Sequence, residues 1–103
     1  MPAKELHDDS PGHEEDGHRG AFFWAPSGRR LAELTYTRAS PALVIIDHTE
    51  VSPELAGQGI GRRLLDAAVQ WARDTQTKFV VTCPFASAQF ARDPSIRDVL
   101  ASQ

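Results

Sequence analysis

The sequence contains one cysteine, Cys83, among 103 residues. No intrachain disulfide can form, which excludes a disulfide-built secreted scaffold and a zinc site of the multi-cysteine kind. No apolar run approaches the roughly 18–20 residues that cross a bilayer. The polar, acidic N-terminus does not read as a signal peptide. A cytoplasmic protein with no membrane partner is the expectation. Basic residues are also few: 11 Lys and Arg against 14 Asp and Glu give a net charge of −3. The excess acid lies in residues 1–20, where Lys4 and Arg19 face Glu5, Asp8, Asp9, Glu14, Glu15 and Asp16. The remaining nine basic and eight acidic residues nearly cancel, so nothing suggests a nucleic-acid surface.

The length suits one domain with one hydrophobic core. Residues 1–19 are poor in aliphatic side chains and read as an acidic, flexible segment ahead of a domain at 20–103. His7, His13 and His18 fall in that segment at a spacing that matches no defined metal site, so no metal is expected.

Residues 21–24 form an aromatic-rich strand candidate, Pro26-Ser27-Gly28 a turn, and residues 31–37 a second strand, together a β-hairpin. After Ser40-Pro41, residues 42–51 contain Leu43-Val44-Ile45-Ile46, a run that suits a central strand covered on both faces. Residues 59–74 are the clearest helix, with Ile60, Leu64, Leu65, Ala68, Trp71 and Ala72 spaced by three and four. Residues 78–83 read as another strand, stopped by Pro84, and residues 85–92 and 96–100 as short helices. Strand, helix, strand implies a βαβ unit with parallel strands. The fold class is therefore α/β, a mixed sheet of about four strands with one long helix.

Between the central strand and the long helix stand Gly57, Gly59 and Gly61. Glycine permits positive φ and close approach of the backbone to a ligand. The first amides of a helix lack intrahelical partners and favour an anion, so this loop is a candidate phosphate site. The bland alternative is a turn that only joins strand to helix. A P-loop would need lysine after the last glycine, and a dinucleotide fingerprint needs Gly-x-Gly-x-x-Gly. Neither template fits.

The segment Ala56-Gly57-Gln58-Gly59-Ile60-Gly61 resembles the pyrophosphate loop of GNAT acetyltransferases, with Ala56 where Gln or Arg usually stands. Three stretches together resemble the short YjdJ-type members of that superfamily: His48-Thr49-Glu50-Val51, the glycine loop, and Cys83-Pro84-Phe85. The resemblance runs from about Phe22 to the C-terminus. It implies a reduced GNAT fold, acetyl-CoA as cosubstrate without a metal, and an amine acceptor that is a small molecule, peptide or protein. It implies catalytic roles for His48 and Cys83, and a coenzyme-binding set of Val51, Gln58, Gly59, Ile60, Gly61, Arg62 and Arg63. Either a monomer or a weak homodimer is compatible with a small sheet that has an exposed edge.

Ligands of open α/β sheets sit at the carboxyl ends of parallel strands, where His48 and Cys83 are expected. Strict alternation along the strand puts His48 on one face with Ile46 and Val44, opposite Asp47 and Thr49. Two mechanisms are open. The acceptor amine attacks the thioester directly with His48 as base, or Cys83 carries the acetyl group in between. Structural roles for both residues stand beside these, as does a non-catalytic acyl-CoA-binding or interaction module. Phe90 stands where related proteins often carry tyrosine, and it cannot protonate a leaving thiolate.

Overall fold

The computed structural model describes residues 10–101. Five strands form one sheet in chain order: β1 (Gly12–Asp16), β2 (Arg19–Trp24), β3 (Ala32–Ser40), β4 (Leu43–Val51) and β5 (Lys78–Val81). The first four pair antiparallel, and β5 pairs parallel to β4 through α1 (Ile60–Thr75), the βαβ unit expected. Helix α2 (Pro84–Arg92) follows β5, and short 3₁₀ turns occupy Pro53–Leu55 and Pro94–Val99.

Helix α1 begins and ends on left-handed residues, Gly59 at φ 72° and Gln76 at φ 58°. Its face of Ile60, Leu64, Leu65, Ala68, Val69 and Ala72 is buried against Phe22, Leu34, Tyr36, Val44 and Ile46. Each Ile, Leu or Val side chain of this face removed from water contributes roughly 1.5–3 kcal/mol before entropy is charged against it. Both helices feed one core cluster with Phe79, Ala86 and Phe90. The run Leu43-Val44-Ile45-Ile46 is covered on one face only: Val44 and Ile46 are buried, while Leu43 and Ile45 are half-buried. Val80, beside Ile45 in register, is exposed.

The sheet has one strand more than the approximate four. The addition is β1, in a segment read from sequence as flexible tail. Its hold is aromatic and polar rather than aliphatic, which is why composition hides it. The His13 ring stacks on Phe22 at 4.0 Å and meets Trp71 edge-on at 5.0 Å. Tyr36 Oη donates to Glu15 Oε1 at 3.0 Å and lies 2.7 Å from His13 Nε2. The hydroxyl has one proton to give, so it accepts from His13. Arg38 closes the chain on Glu15 at 2.6 Å. Residues 1–9 of the expected tail, His7 among them, lie outside the described residues.

Among the described residues no helix is long and apolar enough to cross a membrane, and no group of three His, Cys, Asp or Glu is placed to hold a metal ion.

Candidate active site

The glycine loop forms the floor of a hollow of about 300 Å³. Val51, Leu55, Ala56, Gly57, Gly59, Ile60, Gly61 and Arg62 line it, with Phe85 and Gln89 from α2 as the opposite wall. Gly57 and Gly59 both adopt positive φ, at 80° and 72°. The first intrahelical bond runs from the Arg63 amide to the Gly59 carbonyl at 3.1 Å. The amides of Gly59, Ile60, Gly61 and Arg62 therefore stand at the helix start without intrahelical partners. No acidic side chain occupies that first turn, so the positive end of the helix dipole is not neutralised there. The Gln58 amide is already bonded to the Leu55 carbonyl at 3.2 Å, which starts the available donor row at Gly59.

The arginines of the expected set are engaged elsewhere. Arg62 reaches Asp66 at 2.8 Å, Gln89 at 3.1 Å and Asp93 at 2.5 Å, tying α1 to α2 and to the residue before the last 3₁₀ turn. Ser95 first and Arg62 second hold the Asp93 carboxyl down at about 2. The Arg63 guanidinium lies over the Trp24 ring, 4.7 Å from its centroid. The row of amides is thus the part of the hollow suited to an anion, with Arg62 at its margin.

Strands β4 and β5 separate just beyond Ile46 and Val81, the last pair in register. The Ile46 carbonyl gathers the Thr82 amide at 2.9 Å, the Cys83 amide at 3.2 Å and the Thr82 hydroxyl at 3.3 Å. Pro84 then opens α2, while β4 runs on to Val51 paired with β3 alone. This leaves the Asp47–Val51 edge of β4 without a strand partner beside the start of α2, a notch in the strand pairing.

The notch does not receive the side chains that strict alternation predicts. Tyr36 lies opposite Ile46, but Thr35 lies opposite His48, so Asp47 is an extra residue in a β-bulge. Its carboxylate accepts from Thr35 at 2.5 Å and from Thr37 at 3.0 Å, which fixes the bulge on the open sheet face. From there the alternation is inverted. His48 shares the open face with Thr35, opposite to Ile46 and Val44, and is 61% exposed in its side chain with Glu50 at 3.6 Å. Thr49, opposite buried Leu34, turns to the helical side, and its hydroxyl lies 3.3 Å from Cys83 Sγ. Cys83 itself is 2% exposed. The expected pair is therefore divided between the two faces of the sheet, with the notch between them.

Thr49, Phe85 and Gln89 were not among the residues singled out from sequence. Thr49 and Phe85 lie within the His48–Val51 and Cys83–Phe85 motifs, but the bulge that aims the first and the helix contact that aims the second leave no local signature. Phe90, where a tyrosine would stand, is buried edge-on to Phe79 at 6.4 Å.

The family model of the GCN5-related N-acetyl-transferases matches residues 21–99. No match is found among curated proteins. Among solved structures, a GCN5-like protein from Staphylococcus aureus is 32% identical, with 92% of each chain covered and a TM-score of 0.67. A ribosomal-protein-alanine N-acetyltransferase from Brucella melitensis biovar Abortus 2308 is 18% identical over 85% of this chain and 65% of that one, at 0.59. An aminoglycoside N-acetyltransferase in complex with CoA is 13% identical over 85% and 70%, at 0.51. These last two are likenesses of fold.

Proposed function

The chain belongs to the GCN5-related N-acetyltransferase family, and from that premise we propose that it moves an acetyl group from acetyl-CoA to an amine by direct attack, with His48 as the base. As a family member it is an acetyl-CoA-dependent acyltransferase. The observation that carries the finer reading is the hollow over residues 55–62, with its row of amides at the start of α1. A diphosphate fits such a donor row. From the hollow, Val51 and then Thr49 lead along β4 to the notch, which is where the thioester belongs.

In this reading the acceptor, a small-molecule, peptide or protein amine, arrives from the open face. His48 stands there and takes the amine proton. The nitrogen–carbon bond forms, the carbon–sulfur bond breaks, and the coenzyme leaves as a thiolate that is protonated from solvent. An acetyl-cysteine route has Cys83 at the same notch in its favour. Its sulfur is sealed behind Thr49, which favours direct attack. The motifs His48-Thr49-Glu50-Val51 and Cys83-Pro84-Phe85 support a place among the short YjdJ-type members.

The test is to follow labelled acetyl from acetyl-CoA into spermidine, a lysine peptide and a peptide with a free N-terminus. At least one amine should accelerate coenzyme release over water alone, and His48→Gln should lower that rate about a hundredfold with acetyl-CoA affinity unchanged. Equal turnover by His48→Gln removes the base assignment.

A further inference from the structure

We propose that Thr49, not Cys83, is the side chain that meets the thioester, and that its hydroxyl donates to the sulfur of the departing coenzyme while Cys83 holds it in position. The proposal rests on the reading above, in which the thioester lies at the notch.

Three observations carry it. The bulge at Asp47 brings Thr49 to the helical side of β4, in the notch, where strict alternation would have turned it away onto the open face. Of the two partners, Thr49 is half-buried and presents surface, whereas Cys83 is 2% exposed. The cysteine is also pinned through its backbone. Its amide bonds to Ile46, its carbonyl accepts from the Ser87 amide at 2.9 Å, and Pro84 fixes the next turn. A buried sulfur on a backbone held that firmly is a support for Thr49 Oγ1 at 3.3 Å rather than an open nucleophile. With Cys83 Sγ–H donating to Thr49 Oγ1, the threonine keeps its own proton for the notch.

The chemistry needs such a donor. Breaking the carbon–sulfur bond places negative charge on the coenzyme sulfur, and a positioned hydroxyl stabilises charge that develops there. Phe90 cannot do this, and His48 is on the other face. Thr49 donates a hydrogen bond and transfers no proton, so the balance of the reaction is unchanged.

Coenzyme release is measured at saturating acetyl-CoA, with spermidine as the probe amine and in water alone, for wild type, Thr49→Val and Thr49→Ser. Thr49→Val should lose about ten- to hundredfold in kcat, with KM for acetyl-CoA within about twofold. Thr49→Ser should recover to within about threefold of wild type, which a purely structural role would not require. Intact-protein mass spectrometry should find no acetyl group on Cys83. Wild-type kcat in Thr49→Val, no rescue by serine, or an acetylated Cys83 overturns the proposal. Wild-type protein that gives no heat with acetyl-CoA in calorimetry is a separate result. It removes the reading of the loop, and this proposal with it.

Discussion

A β-carbon placed on Gly61 would stand 3.0 Å from Cζ of Phe85, so the glycine is what lets α2 close on the first turn of α1. Both residues line the hollow at the loop, and their contact sets its width. Gly61→Ala should push the Phe85 ring into that space. Acetyl-CoA affinity should fall about tenfold, equivalent to about 1.4 kcal/mol, in isothermal titration calorimetry. Circular dichroism should show the helices retained.

A β-carbon on Gly59 would meet nothing within 4 Å, but the residue's φ of +72° lies in the left-handed region. Gly59→Ala should therefore cost about 1–2 kcal/mol through backbone strain alone. In a domain of this size each kcal/mol lowers Tm by about 4–8 °C. Gly59→Asn, which tolerates the conformation better, should lose less in the same thermal unfolding experiment.

Gly20 and Tyr36 show the opposite situation, ordinary backbone with no room. A β-carbon on Gly20 would overlap Tyr36 Cζ and its hydroxyl. Gly20→Ala should displace the ring, break the His13–Tyr36–Glu15 chain and destabilise the protein by about 1–3 kcal/mol. Denaturant unfolding measures the loss. The Tyr36→Phe background should absorb part of it.

Acid should loosen β1 first. The cover of Phe22 and Trp71 on the His13 ring lowers its pKa from 6.5, with Glu15 opposing and Arg38 assisting. A depressed folded-state value means that the contribution to stability is complete above pH 6.5 and fades as pH falls below it. Part of the ring stays in solvent, so the effect is small and local. The protection factors of the Gly12–Asp16 amides, taken relative to the intrinsic exchange rate at each pH, should fall from pH 7 to pH 5, and His13→Phe should remove that fall. The carboxylates of Glu15, Asp93 and Asp98 are also held down, each chiefly by a hydrogen-bonding partner. Their contributions disappear only at lower pH, as it falls below the ordinary carboxylate range, reaching about 2 for Asp93.

The long helix and its loop were legible because both signals are local. A 3.6-residue apolar period and three alternating glycines need no knowledge of partners. The hairpin and the βαβ unit followed from β-branched runs broken by proline and glycine. What sequence could not show is non-local. The bulge at Asp47 depends on Thr35 and Thr37, 12 and 10 residues earlier, capturing its carboxylate, and one extra residue reverses the facing of His48 and Thr49. The role of Arg62 depends on Asp93, 31 residues away. The strand at Gly12–Asp16 is held by stacking of His13 on Phe22 and by a Tyr36 hydroxyl, neither of which hydropathy registers.

The central claim is that main-chain amides at the start of α1 bind the coenzyme diphosphate. Titrating ¹⁵N-labelled protein with acetyl-CoA tests it most directly. Saturable shifts are expected at the Gly59, Ile60, Gly61 and Arg62 amides, with Thr49 following at the notch and β1 unmoved. Saturable binding whose shifts fall on other residues, or no shift at these four at millimolar ligand, would contradict it.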